Sequence, residues 1–430
     1  MSGESQKSWG YTAGLGLAVL AFINLFNYLD RYVVSALFES LKHSILALSD
    51  AQLGSLMSAF LIVYTLAAPL FGALGDRRGR PRLIAFGVFL WSLATTLSGF
   101  AGSYLWLLVA RASVGVGEAA YGTIAPSLLA DYYPQARRGR VMAIFFCAIP
   151  VGSALGYVIG GLIDVHFGWR AAFFVAGGPG LALALLCLFL RDPPRGSQDE
   201  IQRGAEPPVA SGGVLASDAP ADSMRAATLA TYRRLIRNPP YVWTVLGYAA
   251  YTFAIGGLAA WMPAFLERIR GIPSGEAAIG FGKVVVITGL VGTFVGGWLG
   301  DYCLRFSREA YLWLCAIATL IAAPFVWAAL TTTSPAYYWT YMVIAQLLMF
   351  LSTGPINAAI VNLVAPIERA SAVALSVFAI HCLGDVLSPF LIGALSDATS
   401  LSVAVQIVPI AVVVSGLVWC LAARAQARHA

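Results

Sequence analysis

The sequence GALGDRRGRPR, residues 72–82, ends a long apolar run with the pattern GxLxD and follows it with a cluster of arginines. The same pattern ends three further apolar runs, at Gly160–Asp164, Gly297–Asp301 and Gly393–Asp397. One GxLxD arises easily by chance in a chain rich in Gly and Leu. Four copies at equivalent ends of apolar runs indicate a chain built from four related three-helix units.

The apolar runs make up most of the chain. Of its 430 residues, 59% are hydrophobic and 11% are charged, whereas an ordinary soluble domain has roughly 25% charged residues. So few charges cannot cover a surface that faces water, which excludes a soluble enzyme and a disordered chain. Because a membrane-spanning helix needs about 20 apolar residues, the runs predict twelve spans. Spans 1 to 12 are predicted at 12–38, 50–75, 82–102, 104–131, 138–164, 169–190, 240–267, 276–303, 309–331, 336–364, 369–396 and 402–424.

The predicted fold is an all-α polytopic membrane protein with two six-helix bundles, each made of two inverted three-helix repeats. The bundles are residues 1–190 and 240–430, and residues 191–239 form a cytoplasmic linker rich in Pro, Ser and Gly. The linker end around Arg225–Arg237 predicts either a short basic helix on the cytoplasmic membrane surface or a solvated linker end. Nested repeats of this kind are typical of transporters whose substrate site lies near the middle of the membrane.

The basic residues predict the orientation of the chain. Most of the 27 Lys and Arg residues fall in loops on one side of the predicted spans, which places both termini in the cytoplasm. The inner (plasma) membrane is the expected location. The net charge of +6 does not indicate nucleic-acid binding, because the basic residues are spread between apolar runs. The six cysteines form no CxxC pair, so neither a disulfide framework nor a metal site is predicted.

Residues 72–82 resemble the signature loop between the second and third helices of the major facilitator superfamily. A shorter copy, GWLGDYCLR at 297–305, lies where that family has its second loop, and PVGSALGYVIGG at 150–161 resembles its glycine-rich fifth helix. The resemblance covers the whole chain and implies the major facilitator fold. It also implies that residues of this loop form a conformational latch on the cytoplasmic side. The alternative is that these residues only set the membrane topology and cap the helix ends. The latch residues are Gly72, Asp76, Arg77, Gly79 and Arg80.

Three further stretches resemble the Spinster lineage of that superfamily more specifically. They are FNYLDRYVVSALF at 26–38, RASVGVGEAAYGTIAPSLLADYYP at 111–134 and AIPVGSALGY at 148–157. Members of this lineage are associated with moving sphingolipids and lysophospholipids. The resemblance therefore implies an amphipathic lipid substrate with a charged head group and an acyl tail.

Four ionisable residues lie inside predicted spans 1 and 4. Asp30 and Arg111 are each about eight residues from the outer end of their span, or roughly 12 Å deep, so they can pair if the spans face each other. Glu118 lies seven residues beyond Arg111, about 10 Å deeper and within about 20° of the same helix face. Each such residue costs roughly 2.5–3.5 kcal/mol on membrane-insertion scales, which makes it a functional candidate.

These four charges are assigned roles in proton-coupled transport. Asp30 is the predicted proton carrier and Arg111, which stays charged, its fixed partner. Glu118 is expected to bind a cationic group of the substrate or to relay protons, and Arg31 to hold an anionic head group. The Spinster resemblance supports these assignments. A static ion pair between Asp30 and Arg111 that only fixes helix register is the alternative.

The second half of the chain has fewer intramembrane charges. Tyr248 and Asn357 are predicted to line an apolar, aromatic wall for the substrate. His381 and Asp385 share a face of span 11 and are secondary candidates, and Lys283 is expected to reach toward the membrane surface rather than bind substrate. Prolines in this half predict helix bends, namely Pro263, Pro355 and Pro389.

Together these features predict a secondary active transporter that moves a lipid-like amphiphile by alternating access, with a proton gradient as its energy source. The chain has no phosphate-binding loop of the GxxxxGK[ST] form. No catalytic residue, metal or other cofactor is expected, and the predicted partners are the amphipathic lipid, protons and membrane lipids around a monomer. A transporter of hydrophilic organic anions or drugs and an uncoupled facilitator are the alternatives within the fold. An intramembrane enzyme or a channel is the alternative outside it.

Overall fold

The computed structural model describes residues 3–195, 231–364 and 368–429. In the first half, span 1 is Gly3–Ala36, followed by the short helix Phe38–His43, and span 2 is Asp50–Arg77. Spans 3 to 6 are Arg80–Ser98, Tyr104–Tyr132, Gln135–Phe167 and Trp169–Cys187. In the second half, spans 7 to 9 are Pro239–Arg268, Ser274–Cys303 and Ala310–Thr331. Span 10 is Pro335–Phe350 and Thr353–Asn362, span 11 is Arg369–Ile380, His381–Asp385 and Leu387–Ala398, and span 12 is Leu401–Ala404 and Ile407–His429.

Within the described ranges, eleven helices are long and apolar enough to cross a membrane. Predicted span 4 is present as the 29-residue helix Tyr104–Tyr132 but is not one of the eleven. Arg111, Glu118 and the small residues between them lower its mean hydropathy. The helix that departs from the purely apolar pattern is therefore one that carries two of the four predicted charges, Arg111 and Glu118.

Close helix contacts in the first half depend on glycines spaced one turn apart. A Cβ atom at Gly152 or Gly156 of span 5 would lie 2.5 Å from the carbonyl oxygen of Leu25 or Leu29 in span 1. A Cβ atom at Gly87 of span 3 would lie 2.6 Å from a backbone oxygen of span 4. Small residues at these positions let the backbones approach closely, as is usual for membrane helices.

Spans 10 and 11 are interrupted where proline removes a backbone donor. Pro355 cannot donate to the carbonyl of Leu351, and span 10 breaks at that point. Pro389 cannot donate to the carbonyl of Asp385, and span 11 contains a π-helical turn over His381–Asp385 just before it. In that turn the Val386 N–H donates to the His381 carbonyl at 3.2 Å. The sequence predicted bends here but not their form.

The chain divides into two compact units. The first contains the described residues of 1–48, 59–213 and 273–282, and the second those of 49–58, 214–272 and 283–430. The start of span 2 groups with the second unit and the start of span 8 with the first. The bundle boundaries expected from the sequence, 1–190 and 240–430, remain a prediction.

The predicted surface helix at the end of the linker lies partly outside the described residues. Its last part, residues 231–236, is helical. Leu235 is buried there against Tyr241 and Ile360 of the second unit, and Arg234 pairs with Glu368 at 2.7 Å. The described end of the linker is thus packed on the second unit.

Candidate functional site

Asp30, Thr95 and Arg111 form a buried polar cluster in the first unit. Arg111 donates to Asp30 Oδ1 at 3.2 Å, and the Thr95 hydroxyl donates to Asp30 Oδ2 at 2.6 Å. None of the three side chains is more than slightly exposed. The close approach of spans 3 and 4 brings Thr95 and Arg111 to the same carboxylate. The structure thus places the two residues predicted for proton coupling in direct contact.

A second ion pair lies beside the first. Arg31 donates through Nη2 to Glu118 Oε2 at 2.7 Å, with Glu118 fully buried and the Arg31 side chain 15% exposed. Asp30 and Arg31 are consecutive in span 1, and their partners are seven residues apart in span 4. Each helix contributes one acid and one arginine, so the two pairs together carry no net formal charge.

Several polar atoms of this cluster have no hydrogen-bond partner among the described residues. They are buried nitrogens of Asn27, Arg31 and Arg111 and one carboxylate oxygen, Glu118 Oε1. A buried polar atom left unpaired costs roughly 1–3 kcal/mol, and more when it is charged. The cluster therefore offers both donors and an acceptor to a further polar group.

Three aromatic side chains surround the guanidinium group of Arg31, and we call them the aromatic cage. The Arg31 Cζ atom lies 4.8 Å from the ring centre of Tyr28, 5.0 Å from that of Phe60 and 5.4 Å from that of Tyr64. These distances are within the range of cation–π interactions. A Cβ atom at Gly115 of span 4 would lie 2.5 Å from the Phe60 carbonyl oxygen. Gly115 thus lets span 2 approach span 4 closely enough to place the cage beside Arg31.

The second unit holds the predicted wall residues Tyr248 and Asn357 and the secondary candidates His381 and Asp385. Asn357 Nδ2 donates to the Thr353 carbonyl at 2.8 Å and to the Tyr248 hydroxyl at 3.4 Å. His381 Nδ1 lies 2.9 and 3.1 Å from the two carboxylate oxygens of Asp385, within the π-helical turn. The structure therefore brings Tyr248 and Asn357 together and pairs the two secondary candidates.

Lys283, the remaining charged residue considered in the second half of the chain, is exposed near the start of span 8. Tyr251 and Gln346 are buried polar residues of the second unit. Tyr251 donates to the Met349 carbonyl at 2.7 Å, and Thr288 donates to Gln346 Oε1 at 3.4 Å. Both hydrogen bonds lie within the second unit.

The predicted latch loop begins span 3. Gly79 is the N-cap residue of the helix Arg80–Ser98, and Arg80 is 2% exposed. Arg80 pairs with Asp131 of span 4 and with Asp192, which follows span 6, at 2.5 and 2.8 Å, and it donates to the Pro193 carbonyl at 2.7 Å.

The other predicted latch residues are less closely packed than Arg80. Arg77 is exposed, a Cβ atom at Gly72 would meet nothing within 4 Å, and the Asp76 side chain lies outside the described set. Asp131 and Asp192 were not predicted as site residues. Their positions at the predicted cytoplasmic ends of spans 4 and 6 were the available signal.

Comparison with known proteins identifies the family. The model of the Major Facilitator Superfamily matches residues 20–389. The chain is 35% identical over 413 residues to protein spinster homolog 1 of Mus musculus, covering 91% of this chain and 75% of the mouse protein. It is 34% identical over 403 residues to protein spinster homolog 3 of Danio rerio, covering 90% of this chain and 77% of that protein.

Solved structures show the same fold. A bacterial homologue of the human lysosomal transporter Spinster, solved in an inward-facing and unoccupied conformation, superposes with a TM-score of 0.83 at 24% identity. The superposition covers 97% of this chain and 98% of that one. A D-xylose–proton symporter superposes with a TM-score of 0.72 at 19% identity, over 95% of each chain.

The expected all-helical major facilitator fold is therefore confirmed, as is the Spinster resemblance. The apolar helices agree with an integral membrane protein that crosses the bilayer many times. The chain belongs to the Major Facilitator Superfamily and, within it, to the Spinster family of membrane transporters.

Proposed function

We propose that this protein moves a lipid-like amphiphile of the sphingolipid or lysophospholipid class by alternating access, coupled to proton movement through Asp30. The observation that carries the proposal is the presence of two buried ion pairs, Asp30–Arg111 and Arg31–Glu118. Each pair joins a residue of span 1 to a residue of span 4. A purely structural contact would be expected to satisfy its polar atoms, yet buried atoms on both arginines and on Glu118 have no partner among the described residues.

The proton step follows from the chemistry of the first pair. Arg111 keeps its charge at any working pH, so a proton that binds Asp30 removes the attraction between them and leaves the guanidinium free to turn to another acceptor. Loss of the proton restores the pair. The Thr95 hydroxyl, which donates to the Asp30 carboxylate, also accepts a hydrogen bond and so can serve both states of the acid.

The substrate step is assigned to the second pair. Arg31 can bind a phosphate or carboxylate in bidentate geometry, and Glu118 Oε1 can accept from a cationic group. Tyr248 and Asn357, on the predicted apolar, aromatic wall, are assigned to contacts with neutral parts of the substrate. Arg80 and its two acidic partners are assigned to the cytoplasmic latch, together with the other loop residues named above.

Both termini are placed in the cytoplasm and the protein in the inner (plasma) membrane, as a monomer among membrane lipids. The energy source is a proton gradient without another cofactor. We assign the protein transport rather than catalysis, because it belongs to the Spinster family and the two buried acids of spans 1 and 4, Asp30 and Glu118, are paired with arginines.

The test is uptake of lysolipids and sphingoid lipids into proteoliposomes, with and without a pH gradient. Asp30→Asn is expected to abolish the stimulation by the gradient, and Glu118→Gln to reduce uptake under both conditions. Asp385→Asn is the matched control, a carboxyl-to-amide change in the second unit. Full gradient stimulation in Asp30→Asn would contradict the proton assignment. Uptake of sugars or drugs but of no lipid would contradict the substrate class.

A further inference from the structure

A set of charged contacts fixes the start of span 2 to the ends of spans 7 and 11. The Arg268 guanidinium, at the end of span 7, donates to both carboxylate oxygens of Asp50, at 2.6 and 3.0 Å. The Ser396 hydroxyl of span 11 donates to the same carboxylate. Asp50 is 1% exposed, and a bidentate arginine–carboxylate pair is among the stronger polar interactions in proteins. The predicted orientation places these helix ends on the outer side of the membrane, and all three residues belong to the second unit.

The fourth GxLxD motif supplies a second connection to span 2. The two carboxylate oxygens of Asp397 accept hydrogen bonds from the backbone N–H groups of Asp50 and Ala51, each at 2.8 Å. These are the first two N–H groups of span 2, which an α-helix leaves without a partner of its own. A carboxylate at this position also opposes the positive end of the helix dipole. Asp397, at the end of span 11, therefore caps the start of span 2.

Close backbone packing accompanies these charged contacts. A Cβ atom at Gly393, the first residue of the same motif, would lie 2.2 Å from a backbone oxygen at the start of span 2. One at Gly54 of span 2 would lie 2.1 Å from a backbone oxygen of span 11. At Gly72 and Gly297, which begin the two GxLxD copies on the predicted cytoplasmic side, a Cβ atom would meet nothing within 4 Å among the described residues. The outer copy in span 11 is therefore packed against another span where these two copies are open.

We propose that Asp50, Arg268 and Asp397 form an outer latch, and that these contacts must break before the outer side of the transport path can open. This inference rests on the alternating access proposed above and is independent of the substrate and of the proton step. Residues 49–58 belong to the second unit, whereas the rest of span 2 belongs to the first. A movement of the first unit therefore acts on the latch through span 2. Once the latch is open, water can solvate its charged groups, which makes the opening reversible.

The experiment measures the access of water to the contact between spans 2 and 11 behind the latch. Ser58 lies about two turns into span 2, is 7% exposed and donates to the Val386 carbonyl of span 11 at 2.5 Å. Ser58→Cys places a thiol at this position, and the full-length protein carrying it is treated in detergent with a charged, water-soluble maleimide. Peptide mass spectrometry gives the labelling rate at residue 58 alone, so the native cysteines do not contribute to it.

Variants of the latch are compared in this Ser58→Cys protein. Arg268→Gln leaves the buried Asp50 carboxylate without its counter-charge, and Asp397→Ala removes the cap of span 2. Each is expected to raise the labelling rate about tenfold or more, which corresponds to about 1.4 kcal/mol. Arg270→Gln is the matched control, because Arg270 donates to carbonyls at the end of span 9 and not to span 2. It should leave the labelling rate unchanged.

Two further variants keep the inference open to contradiction. If Arg268→Gln does not fold, Arg268→Lys keeps the charge but loses the bidentate geometry, and it should raise the labelling rate less. Gly54→Ala should raise the rate through the backbone overlap alone, without a change of charge. An unchanged rate in Arg268→Lys and Asp397→Ala would overturn the latch, and so would an equal increase in Arg270→Gln. Wild-type proteoliposomes that took up no lysolipid would instead contradict the proposed function and leave the labelling result unaffected.

Discussion

The two compact units differ in the polar groups that they bury. In the interior of spans 1 and 4 the first unit buries two ion pairs, built from consecutive residues of span 1 and from Arg111 and Glu118 of span 4. The second unit has a buried carboxylate at a helix end, where Asp50 at the start of span 2 pairs with Arg268 at the end of span 7 at 2.6 Å. Inside its spans it buries neutral polar groups such as Gln346, and its His381–Asp385 pair is partly exposed, at 19% and 23%. Since related helices build both halves, our proposal assigns the charge-dependent transport steps to the first unit and neutral contacts with the substrate to the second.

The largest expected effect is on the stability of the first unit. Arg111→Met should destabilise the protein by about 3–5 kcal/mol, because it leaves the buried Asp30 carboxylate without its counter-charge. Thermal unfolding of the purified protein in detergent measures the change. The double variant Asp30→Asn/Arg111→Met is the control and should recover most of the stability. A single variant as stable as the wild type would show that the pair is not held as a buried ion pair.

Glycine packing should affect both units alike. Gly177→Ala places a Cβ atom 2.6 Å from Thr96 Oγ1 and 2.7 Å from the Ser92 carbonyl oxygen, and Gly296→Ala places one in overlap with the Leu351 carbonyl. Each should cost about 1–3 kcal/mol of stability through overpacking.

The sequence offers a neighbouring control for each of these changes. A Cβ atom at Gly178 or Gly297 would meet nothing within 4 Å, so Gly178→Ala and Gly297→Ala should leave the unfolding midpoint nearly unchanged. Equal shifts within each pair of neighbours would contradict the packing seen in the structure.

The smallest effect is expected at the partly exposed pair of the second unit. Asp385→Asn should change stability by about 1 kcal/mol or less, because the pair is partly open to solvent. It should also retain gradient-stimulated uptake, because the proposed proton carrier is in the other unit. Loss of that stimulation in proteoliposomes would remove the contrast between the two units and move the coupling site to span 11.

Much of the fold could be predicted from the sequence because its signals are local. Apolar length predicted the spans, and the repeated GxLxD motifs predicted their grouping. The breaks in spans 10 and 11 were less predictable. Proline shows which backbone bond is lost, but whether the helix breaks, as before Pro355, or forms a π-helical turn, as before Pro389, depends on its neighbours.

Of the two ion pairs in the candidate site, only one could be predicted from the sequence. Equal depth in the membrane predicted the contact of Asp30 with Arg111. The contact of Arg31 with Glu118 was not predicted, because the sequence placed Glu118 about 10 Å deeper and says nothing of how a long side chain bridges two crossing helices.

The aromatic cage could not be predicted either. Phe60 and Tyr64 have the helical spacing of ordinary packing residues. Their proximity to Arg31 depends on the close approach of spans 2 and 4 at Gly115. A contact between residues so distant in sequence requires the three-dimensional arrangement of the helices.

The most direct test of the account measures proton flux driven by substrate alone. Proteoliposomes containing a pH-sensitive dye receive a lysolipid gradient with no imposed pH gradient. We predict an internal pH change with wild-type protein and with Asp385→Asn, and none with Asp30→Asn. An equal pH change in Asp30→Asn and wild type would contradict the assignment of proton coupling to the first unit.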